Sequence, residues 1–295
     1  MVYKKKSGII GIILAGGTGS RLYPITNSIN KHLLPVHDKP MIFYSLSILM
    51  LAGIRDIILI TNKNDIKHFK SLLGNGKNYG INIIYRIQKK PEGLGQAFLI
   101  TKKNIKNKKV CMVLGDNIFF GQSFSIMLKK AIENLDGCSL FTYLVKNPSE
   151  FGIINIDKHN KPLSISEKPK KSKSNLSVTG LYFYDQSVYN FAKKNKKSNR
   201  GEYEITTINQ MYLKKNKLSI NKLGRGFFWI DAGTHENLNL ASNFIQTIEN
   251  RLGMKVACLE EISLKNKWIS LNMLRKNIKK LPKNSYTDYL KSIAY

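Results

Sequence analysis

Three glycines, Gly16, Gly17 and Gly19, punctuate the stretch GIILAGGTGSRLYPIT (residues 11–26) just after an apolar run ends at Leu14. Arg21 follows directly, and Lys31 stands further on in NKHLLPVHDKP. Glycine lets a backbone approach a ligand closely, and successive N–H groups in such a loop form a concavity for anions. A guanidinium and an ammonium beside it add the charge a polyanion requires. The loop closes Gly19-Ser20-Arg21, without the Gly-Lys-Ser/Thr of a Walker A motif. Leu22 stands where a dinucleotide fingerprint has its third glycine. A plain turn is the alternative reading; phosphate binding is the expectation.

Two aspartates extend it. Asp116 closes the run KVCMVLGD, and Asp231 lies in FFWIDAGT between bulky apolar and small residues. One aspartate at a strand end is commonly a turn former. Two in apolar surroundings, in a chain with a phosphate loop, suggest a Mg²⁺ site whose shell phosphate oxygens complete.

The elements that must carry these residues alternate in period. GIIGIIL (8–14), DIILIT (56–61), INIIYRIQ (81–88) and KVCMVLGD (109–116) are β-branched runs of the kind buried on both faces. Helix candidates lie between them: KPMIFYSLSILMLAG, with Pro40 at its first position and Gly53 at its end, then DIKHFKSLLGNG and GLGQAFLITKKNI. This rhythm predicts right-handed crossovers and a mostly parallel, Rossmann-like central sheet, with ligands beyond the C-terminal strand ends. After residue 137 the runs GCSLFTYLV, GIINIDKHNKPLSISEKP and VTGLYFYD read as strands joined by turns, with a helix around 187–195. KLSINKLGRGFFWIDAGT precedes a helical tail from His235, where Leu238, Leu240, Phe244, Ile245 and Ile248 recur at helical spacing. The division expected is an α/β core over 1–234 and a C-terminal helical segment over 235–295.

With 295 residues the chain can bury roughly 75% of its unfolded surface, so no staple is needed. Its 48 Lys+Arg against 19 Asp+Glu give a net charge of +29. The excess is spread through Lys/Asn/Ile stretches such as KKNKKSN, with no basic run interleaved with stacking aromatics. No nucleic-acid partner is therefore expected. Cys111, Cys138 and Cys258 have neither zinc spacing nor an even count, which suits a reducing compartment. The N-terminal MVYKKKSGIIGIILAGG imitates a signal peptide but shows no small-x-small cleavage site. No run approaches the roughly 20 apolar residues of a membrane span. A soluble, cytoplasmic protein is the expectation.

GIILAGGTGSRLYPIT, NKHLLPVHDKPMIFYSLSILMLAGIRDIILI, QKKPEGLGQAF, VLGDNIFFG, ISEKP, VTGLYFYD and WIDAGTHENL, in this order, resemble the glucose-1-phosphate thymidylyltransferase family of sugar nucleotidyltransferases. The resemblance runs from about Ser7 to the end of the chain. It implies a nucleotidyltransferase fold, GT-A-like, with a sugar-binding β insertion and C-terminal helices. It implies the transfer of thymidylate from dTTP to glucose 1-phosphate, an in-line displacement of pyrophosphate toward dTDP-rhamnose and other deoxysugars. On it, Gly16, Gly17 and Gly19 cradle the triphosphate, Arg21 and Lys31 offset its charge, and Asp116 and Asp231 hold Mg²⁺. Gln88 reads the thymine edge, with Gly93 near the base or its deoxyribose. Glu167 accepts from the sugar hydroxyls, Lys168 meets the sugar phosphate, Gly152 and Val178 offer backbone contacts, and Tyr182 lines the pocket. The tail resembles that of members assembling as homotetramers with a feedback site for dTDP-rhamnose or nucleotide.

Three residues depart from the family pattern: His32 where Gln is usual, Phe151 for Tyr, and Thr207 for Asp. A uridylyl-, cytidylyl- or adenylyltransferase of the same fold stays open. So does a non-catalytic protein that binds nucleotide sugars or polyanions.

Overall fold

The computed structural model describes residues 8–295, so the lysines that open the stretch weighed as a leader lie outside it. Its first half follows the expected rhythm. Strand β1 (Ile9–Leu14) leads through two-residue strands β2 (Pro35–Val36) and β3 (Lys39–Pro40) to helix α1 (Ile42–Leu51). Then come β4 (Asp56–Thr61), α2 (Ile66–Leu73), β5 (Asn82–Ile87), α3 (Gln96–Ile100), α4 (Lys102–Ile105) and β6 (Lys109–Leu114). The order β6-β1-β4-β5 is parallel throughout, with Ile13 opposite both Leu59 and Val113. Alternate residues of β1 explain its unbroken hydrophobicity. Ile9 and Ile13 face one buried cluster with Leu46 and Leu49 of α1, and Ile10 and Ile12 face another with Phe98 of α3.

The second half widens the sheet with antiparallel strands. It comprises β7 (Asn117–Gly121), α5 (Phe124–Glu133), β8 (Cys138–Leu144), β9 (Gly152–Ile156), β10 (Pro162–Glu167) and β11 (Leu176–Tyr184). It continues through α6 (Val188–Lys194), α7 (Ile205–Lys214), β12 (Leu218–Lys222) and β13 (Phe227–Asp231). Strand β11 lies antiparallel to β6, with Leu181 opposite Val113, and carries β8 and β9 beyond it. Strands β7 and β13 leave this sheet and form their own antiparallel ribbon, which sets Asp231 opposite Asn117. The tail is helical: α8 (His235–Leu252), α9 (Leu259–Lys265), α10 (Leu271–Ile278) and α11 (Ser285–Ala294). Thr234 caps α8 by accepting from Asn237 N–H at 3.2 Å, and Gly253 ends it at φ 64°. Among the described residues no helix is long and apolar enough to cross a membrane.

Several sequence expectations need correction. Pro40 does not open α1; it pairs with Pro35 in the β2–β3 ladder, and the helix begins two residues later. The cause is Lys39, whose buried ammonium must reach Glu249 and so keeps this stretch extended, the backbone preferred before proline. GLGQAFLITKKNI is two short helices, broken at Thr101, whose hydroxyl donates back to Ala97 O at 2.8 Å. KLSINKLGRGFFWID supplies strands to two different sheets. Leu240 does not join the inner face of α8 with Leu238, Phe244 and Ile245; it is 54% exposed.

The segment after Lys31 is tied to the tail by buried charge. Glu249 accepts from Lys39 Nζ at 2.9 Å, Lys255 Nζ at 2.7 Å and Val256 N–H at 2.9 Å, while Lys255 also reaches Asp38 at 2.6 Å. Removing one member of such a group strands the others. Glu249→Ala should lower unfolding stability by about 3–5 kcal/mol in urea titrations. An unchanged midpoint would show that the network contributes nothing.

Candidate active site

The parallel strands deliver the phosphate loop and the first aspartate together. Leu14 O accepts from Gly115 N–H at 3.0 Å, so the loop after β1 and the Gly115-Asp116-Asn117 turn after β6 emerge side by side. Two loop glycines serve close approach. A Cβ at Gly16 would come within 2.4 Å of Gln88 Oε1, and Gly19, at φ 67°, would press one on Thr26 Cγ2 at 2.8 Å. Gly17 and Gly19 both border the stem of Lys31.

Lys31 points from its short 3₁₀ turn onto Asp116 as a largely buried ion pair, and Arg21 approaches Asp231 at 3.5 Å from an exposed position. Burial pushes the Asp116 carboxyl up, but the Lys31 ammonium and a 3.0 Å hydrogen bond from Asn117 Nδ2 outweigh it and hold it well below the usual range. Burial likewise opposes the charge on Lys31, and Asp116 overcomes it, so its pKa rises. Asp231 is pushed up to about 6, by burial first and then by repulsion from Asp116, against the pull of Lys31 and Arg21. Two carboxylates that repel one another in a buried crevice fit a small divalent cation whose remaining ligands are phosphate oxygens and water. His37, Asp38 and Glu249 also cluster, but the ammonium groups of Lys39 and Lys255 already lie among them.

Sequence reasoning missed the residues that hold this arrangement. Asn117 Oδ1 accepts from Gly180 N–H at 3.0 Å and Trp229 Nε1 at 2.7 Å, pinning the aspartate turn to β11 and β13. Asn30 Nδ2 donates to Ala15 O and Asp65 Oδ2, so its Oδ1 faces His32 N–H at 3.0 Å and His32 Nδ1 at 2.7 Å. The imidazole proton is therefore on Nδ1. Burial, and then Lys31, lower the His32 pKa to about 3 and keep the ring neutral.

The sugar-side candidates lie across the sheet. Glu167, ending β10, accepts from the Thr206 hydroxyl, and its Oε2 lies 3.3 Å from where a Cβ at Gly152 would stand. Arg200, unremarked among lysines in the sequence, comes within 4.0 Å of Glu167 and 3.6 Å of Glu204. Lys168 has φ 40° and an exposed side chain, and among the described residues it makes no ion pair. Val178 and Tyr182 are buried on β11; burial and Glu167 push the Tyr182 phenol above its ordinary range. Phe151 packs on Trp229, ring centres 5.3 Å apart, and Thr207 is half-buried on α7.

On the base side Gln88 touches the phosphate loop through Gly16. Gly93 has φ 95°, and a Cβ there would meet the Tyr203 backbone at 2.7 Å. Its glycine thus admits the chain segment that carries Arg200.

Residues 10–248 match the Nucleotidyl transferase family model. The chain is 52% identical over 280 residues to a glucose-1-phosphate thymidylyltransferase of Neisseria meningitidis, covering 95% of this chain and 97% of the relative. It is 48% identical to that of Mycolicibacterium smegmatis at the same coverage. A Bacillus anthracis structure described as a glucose-1-phosphate thymidylyltransferase, solved with sucrose, superposes with a TM-score of 0.75 at 42% identity. That match covers 80% of this chain and 94% of the other. A UDP-glucose pyrophosphorylase, at 23% identity, shares the fold with a TM-score of 0.72 over 81% of this chain and 98% of its own. The chain belongs to the nucleotidyl transferases, and among them to the glucose-1-phosphate thymidylyltransferase family.

Proposed function

We propose that this protein transfers the thymidylyl group of dTTP to glucose 1-phosphate, giving dTDP-glucose and pyrophosphate. The observation that carries the reading is the paired carboxylates of Asp116 and Asp231, met by Lys31 and Arg21 beside a glycine loop. A sugar phosphate oxygen is already anionic, so no general base is required, and catalysis reduces to alignment and charge neutralisation. Lys31 and Arg21 offset charge at the α-phosphate and on the departing pyrophosphate. Asp116 and Asp231 would hold Mg²⁺, which supplies further electrostatic stabilisation to the phosphates when bound. Glu167, steadied by Thr206, accepts from sugar hydroxyls, while Lys168 and Arg200 are the cations available to the sugar phosphate. A cytoplasmic setting belongs to the same proposal, supported by three buried free thiols, as does a homotetramer built on the tail. Leu240, Leu252 and Met254 are apolar and exposed there. Light scattering should give about four times the 33.6 kDa chain mass, and a monomer would remove the tetramer.

The deciding assay is pyrophosphate release with Mg²⁺ and glucose 1-phosphate, offering dTTP, UTP, CTP and ATP separately. Release is expected with dTTP and absent without the sugar phosphate; preference for another nucleotide would change the base assigned. Asp116→Asn should cut turnover at least about a hundredfold, some 3 kcal/mol of barrier, with an unchanged circular dichroism spectrum. Near-normal turnover would move the metal elsewhere.

His32 adds a pH dependence of stability. Its folded pKa is depressed, so below pH 6.5 the unfolded chain takes a proton that the folded chain refuses until about 3. Its stabilising contribution is complete above pH 6.5 and is lost as pH falls. Between pH 7 and pH 5 the loss should be about 2 kcal/mol. His32→Gln should lack this increment in denaturation measured at both pH values, and equal losses in the two proteins would refute a neutral buried imidazole.

A further inference from the structure

We infer that Gln96 and Glu92 fix which end of the Gln88 amide faces the nucleotide, and thereby which bases the site accepts. The inference rests on the thymidylyl reading proposed above. Gln88 is 4% exposed, and among the described residues its side chain makes one hydrogen bond, from Nε2 to Gln96 Oε1 at 2.7 Å. Its Oε1 lies against Gly16 of the phosphate loop, and among the described residues no protein donor reaches it.

An amide turned end for end keeps its shape but exchanges donor for acceptor, so packing alone does not orient it. Here the neighbours do. Glu92 offers Gln96 two groups that cannot change role. Its carboxylate, which only accepts, takes Gln96 Nε2 at 2.8 Å; its backbone N–H, which only donates, faces Gln96 Oε1 at 3.4 Å. Gln96 is thereby oriented from both ends, and its oxygen demands a donor from Gln88. Reversing Gln88 would set oxygen against oxygen. The outer end is anchored by Lys197 on the other Glu92 oxygen at 2.5 Å, and by Tyr203 N–H on Glu92 O at 2.8 Å. Gln88 donates to Gln96 and Gln96 to Glu92, whose carboxylate also accepts from Lys197, so the chain leaves an acceptor, Gln88 Oε1, at the nucleotide loop.

An acceptor there matches a base with an N–H between two carbonyls, as thymine and uracil carry at N3. Cytosine N3 and adenine N1 present lone pairs, which repel Gln88 Oε1 when the base sits as thymine does and force it to shift before its amino group can donate. Such a site rejects these bases by polarity rather than by size. It does not separate thymine from uracil.

The test is kcat/KM for dTTP, UTP and CTP in the pyrophosphate assay on the full chain. Gln96→Met keeps length and removes both polar ends; the dTTP-over-CTP ratio should fall about tenfold, mainly through KM for dTTP. Gln96→Glu alone would set a second carboxylate on Glu92, so it is combined with Glu92→Gln; this exchange keeps an acceptor toward Gln88 and a donor–acceptor pair at the outer end, and should retain most of the ratio. Glu92→Leu, at the half-exposed outer end, should shift it in the same direction as Gln96→Met without endangering the fold. Equal losses for all nucleotides in Gln96→Met would mean a merely structural role and overturn the inference. A ratio that collapses in Gln88→Met but stands in both Gln96→Met and Glu92→Leu would overturn it while sparing base reading by Gln88. A wild-type chain inactive with every nucleotide would overturn the thymidylyl reading and the inference with it.

Discussion

Two carboxylates share one buried crevice, and this conflict organises the structure around it. Asp116 remains ionised because a largely buried ammonium, Lys31, lies on it; Asp231, with Arg21 held more loosely and half in water, is driven up to about 6. Removing either cation would leave charge in a low-dielectric site that cannot solvate it. The glycines of the loop follow from the same need. Lys31 passes close beside the loop on its way to Asp116, and a Cβ at Gly19 would stand 3.3 Å from the Lys31 Cβ. His32, next in sequence, is kept neutral by burial and by that ammonium, and Asn30 fixes the proton on Nδ1.

Strand geometry does the assembling. Parallel pairing brings the ends of β1 and β6 level, which is the ordinary site of ligand binding in open α/β sheets. The second aspartate arrives by a different route. The ribbon of β7 and β13 sets Asp231 opposite Asn117, and a one-residue slip would turn Asp231 to the other face. Asn117 guards against that slip, since its side-chain oxygen accepts from both β11 and the Trp229 indole of β13. The network of Lys39, Lys255 and Glu249 then fixes the segment that follows Lys31 against the last turns of α8.

The parallel strands were legible because their burial on both faces writes itself as unbroken β-branched runs, and the phosphate loop because glycines beside an arginine have few other uses. Pro40 misled because its setting depends on Lys39, whose partner Glu249 is remote in sequence. The β7–β13 ribbon was invisible for the same reason: nothing in FFWID says which sheet it joins. Helix α7 buries Ile205, Ile208 and Tyr212 at helical spacing, but Thr206 and Asn209 on the same face mask the apolar pattern. Arg200 and Gln96 escaped notice because their importance lies in what they touch. A lone arginine among lysines and a glutamine in a helix look like solvated surface until Glu167, Glu92 and Gln88 stand beside them.

The segment that carries Gln96 and the segment that carries Arg200 are not independent. Tyr203 donates to Glu92 O, and Gly95 donates to Tyr203 O, both at 2.8 Å, so the segment bearing Arg200 is stitched to the segment bearing Gln96. Asn195 Nδ2 closes the seam on Glu204 O at 2.9 Å. Gly93 and Gly95 permit this contact, because a Cβ at either would strike the Tyr203 backbone within 2.8 Å. Strain at one segment therefore has a direct main-chain route to the other. A substitution that displaces Tyr203 should disturb the Gln88 amide and the Arg200 guanidinium together, although neither touches the other. The two glycines thus do more than shape a loop: they let the segment that carries Gln96 and the segment that carries Arg200 bond main chain to main chain.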